Sequence, residues 1–138
     1  MRFIDSHTNE ETRTSYVTVE NKGAVYTASA KCHPDDEFSI FTGCRYAEMR
    51  AEIKALKAEY YQKKHDCDEC RKFVSMVQQY ACFNREDPSA KAMFRQLNRR
   101  IREVNTLADE INKRELALRV AIRQQDKFKS NKETAKAD

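Results

Sequence analysis

The sequence predicts an α+β fold: an N-terminal antiparallel β-hairpin or small sheet, then two long antiparallel helices forming a coiled-coil-like helical hairpin in an oligomer. Three observations predict it. From Tyr46, alternating steps of three and four residues land on Met49, Ile53, Leu56, Tyr60, Lys63, Cys67, Cys70, Val74, Val77 and Ala81, apolar or thiol at every step but one. A second run repeats the period through Phe94, Leu97, Ile101, Val104, Ala108, Ile111, Glu115, Leu118, Ile122 and Gln125, with polar residues only near its end. This 3.5-residue spacing keeps one helix face against a neighbouring helix. Ahead of both runs, Thr12 to Cys32 alternates with a period of two, the mark of strands.

The chain is expected to be one domain, with a hairpin region and connector over residues 1–43, a first long helix over 44–83, a second over 88–128 and a frayed tail over 129–138. The first ten residues read as an irregular lead in which Phe3 and Ile4 offer at most a short strand. Tyr16, Thr18 and Glu20 then face one way and Ser15, Val17 and Val19 the other, in a stretch rich in β-branched residues. Asn21-Lys22-Gly23 supplies a tight turn. In the second strand, Val25, Thr27, Ser29 and Lys31 oppose Tyr26, Ala28 and Ala30. A lone hairpin is marginal in water, so a helix, the pegs Phe38, Ile40 and Phe41, or another subunit must cover it.

Pro34 ends the second strand, and Asp35, Asp36 and Glu37 mark solvent or a helix entrance. Thr42 is the expected cap of the first helix, whose weak point is the polar stretch Lys63-Lys64-His65-Asp66. Asn84-Arg85-Glu86-Asp87-Pro88 is the clearest punctuation, with Asp87 as N-cap and Pro88 in the first helical turn. Short connections make antiparallel neighbours. Each helix would be about 60 Å long, more than the hairpin can cover, which predicts self-association as a dimer or higher oligomer.

Composition sets bounds. In 138 residues, 35% are charged and 40% hydrophobic, enough for a thin core. The +4 net charge is far from the dense basic clusters of dedicated nucleic-acid binders, so no nucleic-acid partner is expected. No apolar run approaches the ~20 residues that span a bilayer, and Met1 to Asp5 lacks the core of a secretory signal; a cytoplasmic, membrane-free location is expected. Five cysteines without an export signal read as reduced thiols.

His65-x-Cys67-x-x-Cys70 has metal-like spacing, but both thiols fall on the helical seam, where they act as small hydrophobes, so neither metal nor cofactor is expected. His7, His33 and His65 lie in separate segments that assemble no triad, and no glycine-rich phosphate loop exists; the chain does not read as an enzyme. What remains is the arginine-rich second helix. Arg95, Asn98, Arg99, Arg102, Arg119 and Arg123, with Phe83, Asn84 and Phe94 near the bend, form a candidate nucleotide site. Rings stack a base, guanidinium forks hold phosphates, and amides read hydroxyls. Taken singly, each arginine fits a solvated helix face slightly better; taken as a set, they describe the nucleotide site.

The run Thr27-Ala28-Ser29-Ala30-Lys31-Cys32-His33-Pro34-Asp35-Asp36-Glu37-Phe38, followed by Thr42-Gly43, Ala47, Arg50-Ala51 and Ile53-Lys54, resembles a segment common in small proteins of phages infecting Gram-positive bacteria. With a hairpin before it and two long helices after it, the chain resembles the Thoeris anti-defence sponge family. The resemblance implies a phage protein in the host cytoplasm that sequesters, without cleaving, a cyclic ADP-ribose isomer made by a TIR-domain defence enzyme. It also implies dimers or larger assemblies, with some members taking cyclic oligonucleotides. The site residues named above are read from the chain itself and are not carried from the family. The alternative is a coiled-coil interaction protein that blocks or scaffolds a protein or nucleic-acid partner.

Overall fold

The computed structural model describes the backbone of residues 1–33 and 39–137, and the side chains of 1–33 and 39–126. Three strands, β1 (Arg2–Asn9), β2 (Thr14–Asn21) and β3 (Ala24–Lys31), form an antiparallel sheet in the order β1-β2-β3, followed by α1 (Ile40–Gln78) and α2 (Pro88–Ala137). The α+β class and the two long helices are those the sequence predicts. The lead, however, is a full strand. Its alternation is hidden because a register shift between Phe3 and Asp5 makes Ile4 a bulge, and because its outer face carries polar pairs. Arg2 bridges Glu20 at 2.9 Å, and His7 stacks on Tyr16 with ring centroids 6.1 Å apart.

Turn chemistry sets the registers. Lys22 and Gly23, with φ of 52° and 82°, make the two-residue connection between β2 and β3 that matches strand twist. Between β1 and β2, the Asn9 side-chain oxygen accepts the backbone N–H groups of Glu11 and Thr12, and Arg13 takes a φ of 54°.

Helix α1 begins at Ile40, four residues before the expected start. Ser39, and not Thr42, is the cap: its hydroxyl accepts the Thr42 N–H at 3.3 Å, and its carbonyl accepts that of Gly43. Gly43 belongs to the helix interior because a Cβ there would stand 2.6 Å from the Ser15 hydroxyl oxygen. Pro34, Asp35, Asp36, Glu37 and Phe38 lie outside the described residues. The other two pegs are exposed, Ile40 to 48% and Phe41 to 78%, and it is α1 that covers the sheet. No break occurs at Lys63-Lys64-His65-Asp66, since α1 is continuous through it. Its C-terminus comes earlier than expected, at Gln78, followed by tight turns through Tyr80 and Phe83. At the start of α2, Asp87 accepts the Ser89 N–H at 3.0 Å, as the sequence predicts. The helix continues to Ala137 rather than ending near 128, because alanine, lysine and glutamate sustain a helix without a seam.

The chain divides into two compact units, Met1–Ala55 with Ile111–Asp138, and Leu56–Glu110. In the first unit, Ala47, Ala51 and Ala55 form a stripe of fully buried small residues on α1 that packs on Val17, Val19 and Ala30 of the sheet. Alanine at four-residue spacing lets the helix lie close to the strands. Thr8, Ser15 and Cys44 satisfy one another beside Gly43. A second face of α1 meets α2: Tyr46 donates its hydroxyl to the Ala121 carbonyl, and Glu52 pairs with Arg114, an antiparallel order. At the sheet's edge, Arg50 and Lys54 donate to the Ser29 and Thr27 carbonyls of β3.

In the second unit, Leu56, Cys67 and Val74 are buried on the α1 seam, while Leu97, Ile101 and Val104 of α2 are half-buried. Lys63, the polar step in the seam, sits 3.5 Å from Glu59 and 4.0 Å from Glu103 of α2. Among the described residues, no helix is long and apolar enough to cross a membrane.

Candidate functional site

The chain reverses within the second unit through a loop whose backbone its own side chains hold. Asn84 accepts the Glu86 N–H at 3.0 Å with its side-chain oxygen, and its carbonyl accepts the Asp87 N–H at 3.1 Å. Asp87 then caps α2. Asn84, picked from sequence as a ligand contact, thus commits its side-chain oxygen to loop geometry.

Beside this loop, Arg85, Glu86, Lys91, Phe94, Arg95 and Asn98 line an open hollow of about 540 Å³. Helical spacing explains the set: Lys91, Phe94 or Arg95, and Asn98 recur at three- and four-residue steps and share one face of α2. Phe94 is half-buried and meets Phe83 edge-on, with ring centroids 6.4 Å apart and planes at 75°. The Arg85 guanidinium carbon lies 5.4 Å from the centre of the Phe94 ring. Lys91 pairs with Glu86 at 3.3 Å. Three cations and one carboxylate leave the hollow with a positive excess.

The structure brings Phe83, Asn84, Phe94, Arg95 and Asn98 together at the bend. Arg99 and Arg102 follow on α2 outside the hollow's lining. Arg99 stands 3.9 Å from Glu103, and the Arg102 Nε donates to the Asn98 carbonyl at 3.4 Å. Arg95 makes the equivalent bond to the Lys91 carbonyl, which leaves its terminal nitrogens for other partners. Arg119 and Arg123 belong to the first unit and line no part of this hollow. Arg119 lies 3.9 Å from Glu115, and Arg123 is exposed.

Arg85, Glu86 and Lys91 are the lining residues that sequence reasoning passed over. The signal was present in Lys91, one turn ahead of Phe94 and Arg95. Arg85 lies in the loop, where no helical period applies. Cys67 is 4% exposed on the seam and Cys70 is half-buried, positions that suit apolar packing. Among the described residues, no three His, Cys, Asp or Glu side chains are grouped as a metal site. Comparison with protein-family models, curated proteins and solved structures finds no match for this chain.

Proposed function

We propose that this chain is a non-enzymatic phage anti-defence protein that binds and sequesters a cyclic ADP-ribose-type signalling nucleotide in the host cytoplasm, inhibiting Thoeris immunity. The observation that carries the reading is the hollow at the bend, where an aromatic ring, three cationic side chains and an asparagine amide converge. A cyclic ADP-ribose isomer presents an adenine to stack, a diphosphate to neutralise and ribose hydroxyls to read. Phe94 suits the first, Arg85, Lys91 and Arg95 the second, and Asn98 the third. The resemblance of the segment from Thr27 to Lys54 to sponge proteins supports the same ligand. Self-association belongs to the proposal, and the half-buried α2 seam of the second unit supports it.

One observation favours a second reading, that of a coiled-coil interaction protein. Phe73 and Met76 of the second unit, three residues apart on α1, are 54% and 49% exposed, and Tyr80 in the turn just past the helix is 58% exposed. Such a stripe suits a partner helix. A single experiment separates the readings. Purified protein is incubated with candidate cyclic ADP-ribose isomers, freed of excess ligand and heat-denatured, and the supernatant is assayed. Recovery of the intact nucleotide is expected; recovery of none from any isomer removes the sponge reading, and recovery of a cleaved product makes the chain an enzyme.

A further inference from the structure

Arg85 occupies the ring that a base would need. Its guanidinium lies over Phe94, 5.4 Å from the centroid, in an open hollow that Lys91, Arg95 and Asn98 also line. Among the described residues no carboxylate pairs with Arg85, although Glu86 is its neighbour, because Glu86 is turned to Lys91. The Arg85 backbone is held by the Asn84 turn on one side and the Asp87 cap on the other, so its side chain can swing while the loop stays in place.

We infer that Arg85 is an exchange residue: it covers Phe94, yields the ring to an entering base, and then pairs with the phosphate that the base carries. This rests on the nucleotide-binding reading above. Magnitudes favour the exchange. An exposed cation–π contact amounts to about a two- to fivefold effect on an equilibrium, whereas stacking a base on an aromatic side chain amounts to roughly five- to a hundredfold. The base therefore wins the ring. The displaced guanidinium, tethered beside the hollow with Arg95 and Lys91, meets an anion only when the ligand brings one. Selectivity follows: a nucleoside must displace Arg85 without compensation, and a nucleotide regains the contact as a charge-assisted hydrogen bond.

The test uses the whole chain, wild type and Arg85→Gln, titrated at low salt with adenosine, ADP and inorganic pyrophosphate by ligand-observed NMR. Arg85→Gln is expected to bind adenosine about two- to fivefold more tightly, because the competitor for the ring is gone. It should bind ADP and pyrophosphate about tenfold more weakly, because a charged contact is lost. Circular dichroism should show unchanged helicity. If adenosine binding is unchanged or weaker in Arg85→Gln, or if wild type binds none of the three probes, the exchange is overturned. Wild type that retains the cyclic ADP-ribose isomer without this crossover defeats the exchange alone. The crossover with ADP and adenosine, but no retention of any cyclic isomer, defeats the sponge reading alone.

Discussion

Val17 and Val19 are each 1% exposed beneath the alanine stripe of α1, whereas Leu97, Ile101 and Val104 of the second unit remain half-buried along α2. The difference follows from the shape of what each unit packs together. A sheet offers a broad face, and small residues on a helix let it close over that face and exclude water. Two helices meet along a line, and each leaves the flanks of its seam to solvent. The first unit therefore gains its stability from closure. In the second, incomplete closure leaves aromatic and cationic groups at the bend open to solvent.

Placing glutamate in each unit tests this contrast most severely. Ala51→Glu puts a charge at a fully buried position against the sheet and is expected to cost on the order of 4 kcal/mol, enough to abolish cooperative thermal unfolding of a marginally stable domain. Ile101→Glu, at a half-buried seam position, should cost only about 1–2 kcal/mol and lower the mass seen by light scattering. Equal losses in melting temperature would break the contrast. A wild-type monomer at micromolar concentration would instead remove self-association from the proposal.

Pairs of cationic side chains give the next effect. Lys91→Ala with Arg95→Ala is expected to weaken binding of the cyclic ADP-ribose isomer by on the order of 3 kcal/mol in calorimetry, since each charged contact is worth about 1.5–3 kcal/mol. Arg119→Ala with Arg123→Ala should weaken it less. An equal loss would assign the ligand to residues of both units and break the placement of the site at the bend.

Tyr46 gives the smallest effect. Burial raises its phenol above the usual range, the nearby Asp126 carboxylate adds to the rise, and Arg45 opposes it. A phenol raised in the fold stabilises while it is protonated, so its contribution is complete below about pH 10 and is lost as the pH climbs through the raised value. Tyr46→Phe removes the bond to the Ala121 carbonyl, costing about 0.5–1.5 kcal/mol at neutral pH. The gap between wild type and variant should narrow in denaturant titrations above pH 10. A gap that stays constant would mean that the phenol's proton contributes nothing.

What was legible in the sequence was whatever repeats. The seams from Tyr46 and Phe94 fall on half-buried and buried positions of α1 and α2 as far as Val77 and Ile122, whereas their last steps, Ala81 and Gln125, are exposed and Ala81 lies beyond α1; alternation in β2 and β3 matches their inner and outer faces. Asp87-Pro88 declared its helix start through local chemistry alone. Misreadings arose where long-range contact assigns the role. Gly43 falls by sequence in the connector ahead of the first helix, yet it is helical and small because Ser15 lies against it. The strand β1 has polar residues on both faces and a bulge, so its partner β2, and not its own pattern, makes it a strand. Asn84 and Arg85 depend on the path of the loop, which no period encodes.

Arg50 and Lys54 hold the outward carbonyls of β3, and the opposite strand of the sheet carries a bulge at Ile4. A fibril grows when an incoming strand finds a straight edge of free acceptors and donors, then presents the same edge to the next. On this sheet one side is plugged by cations anchored on a helix and the other is bent. Strand-by-strand templating is thereby interrupted at both margins, so the chain can reach high concentration without seeding amyloid through its own sheet.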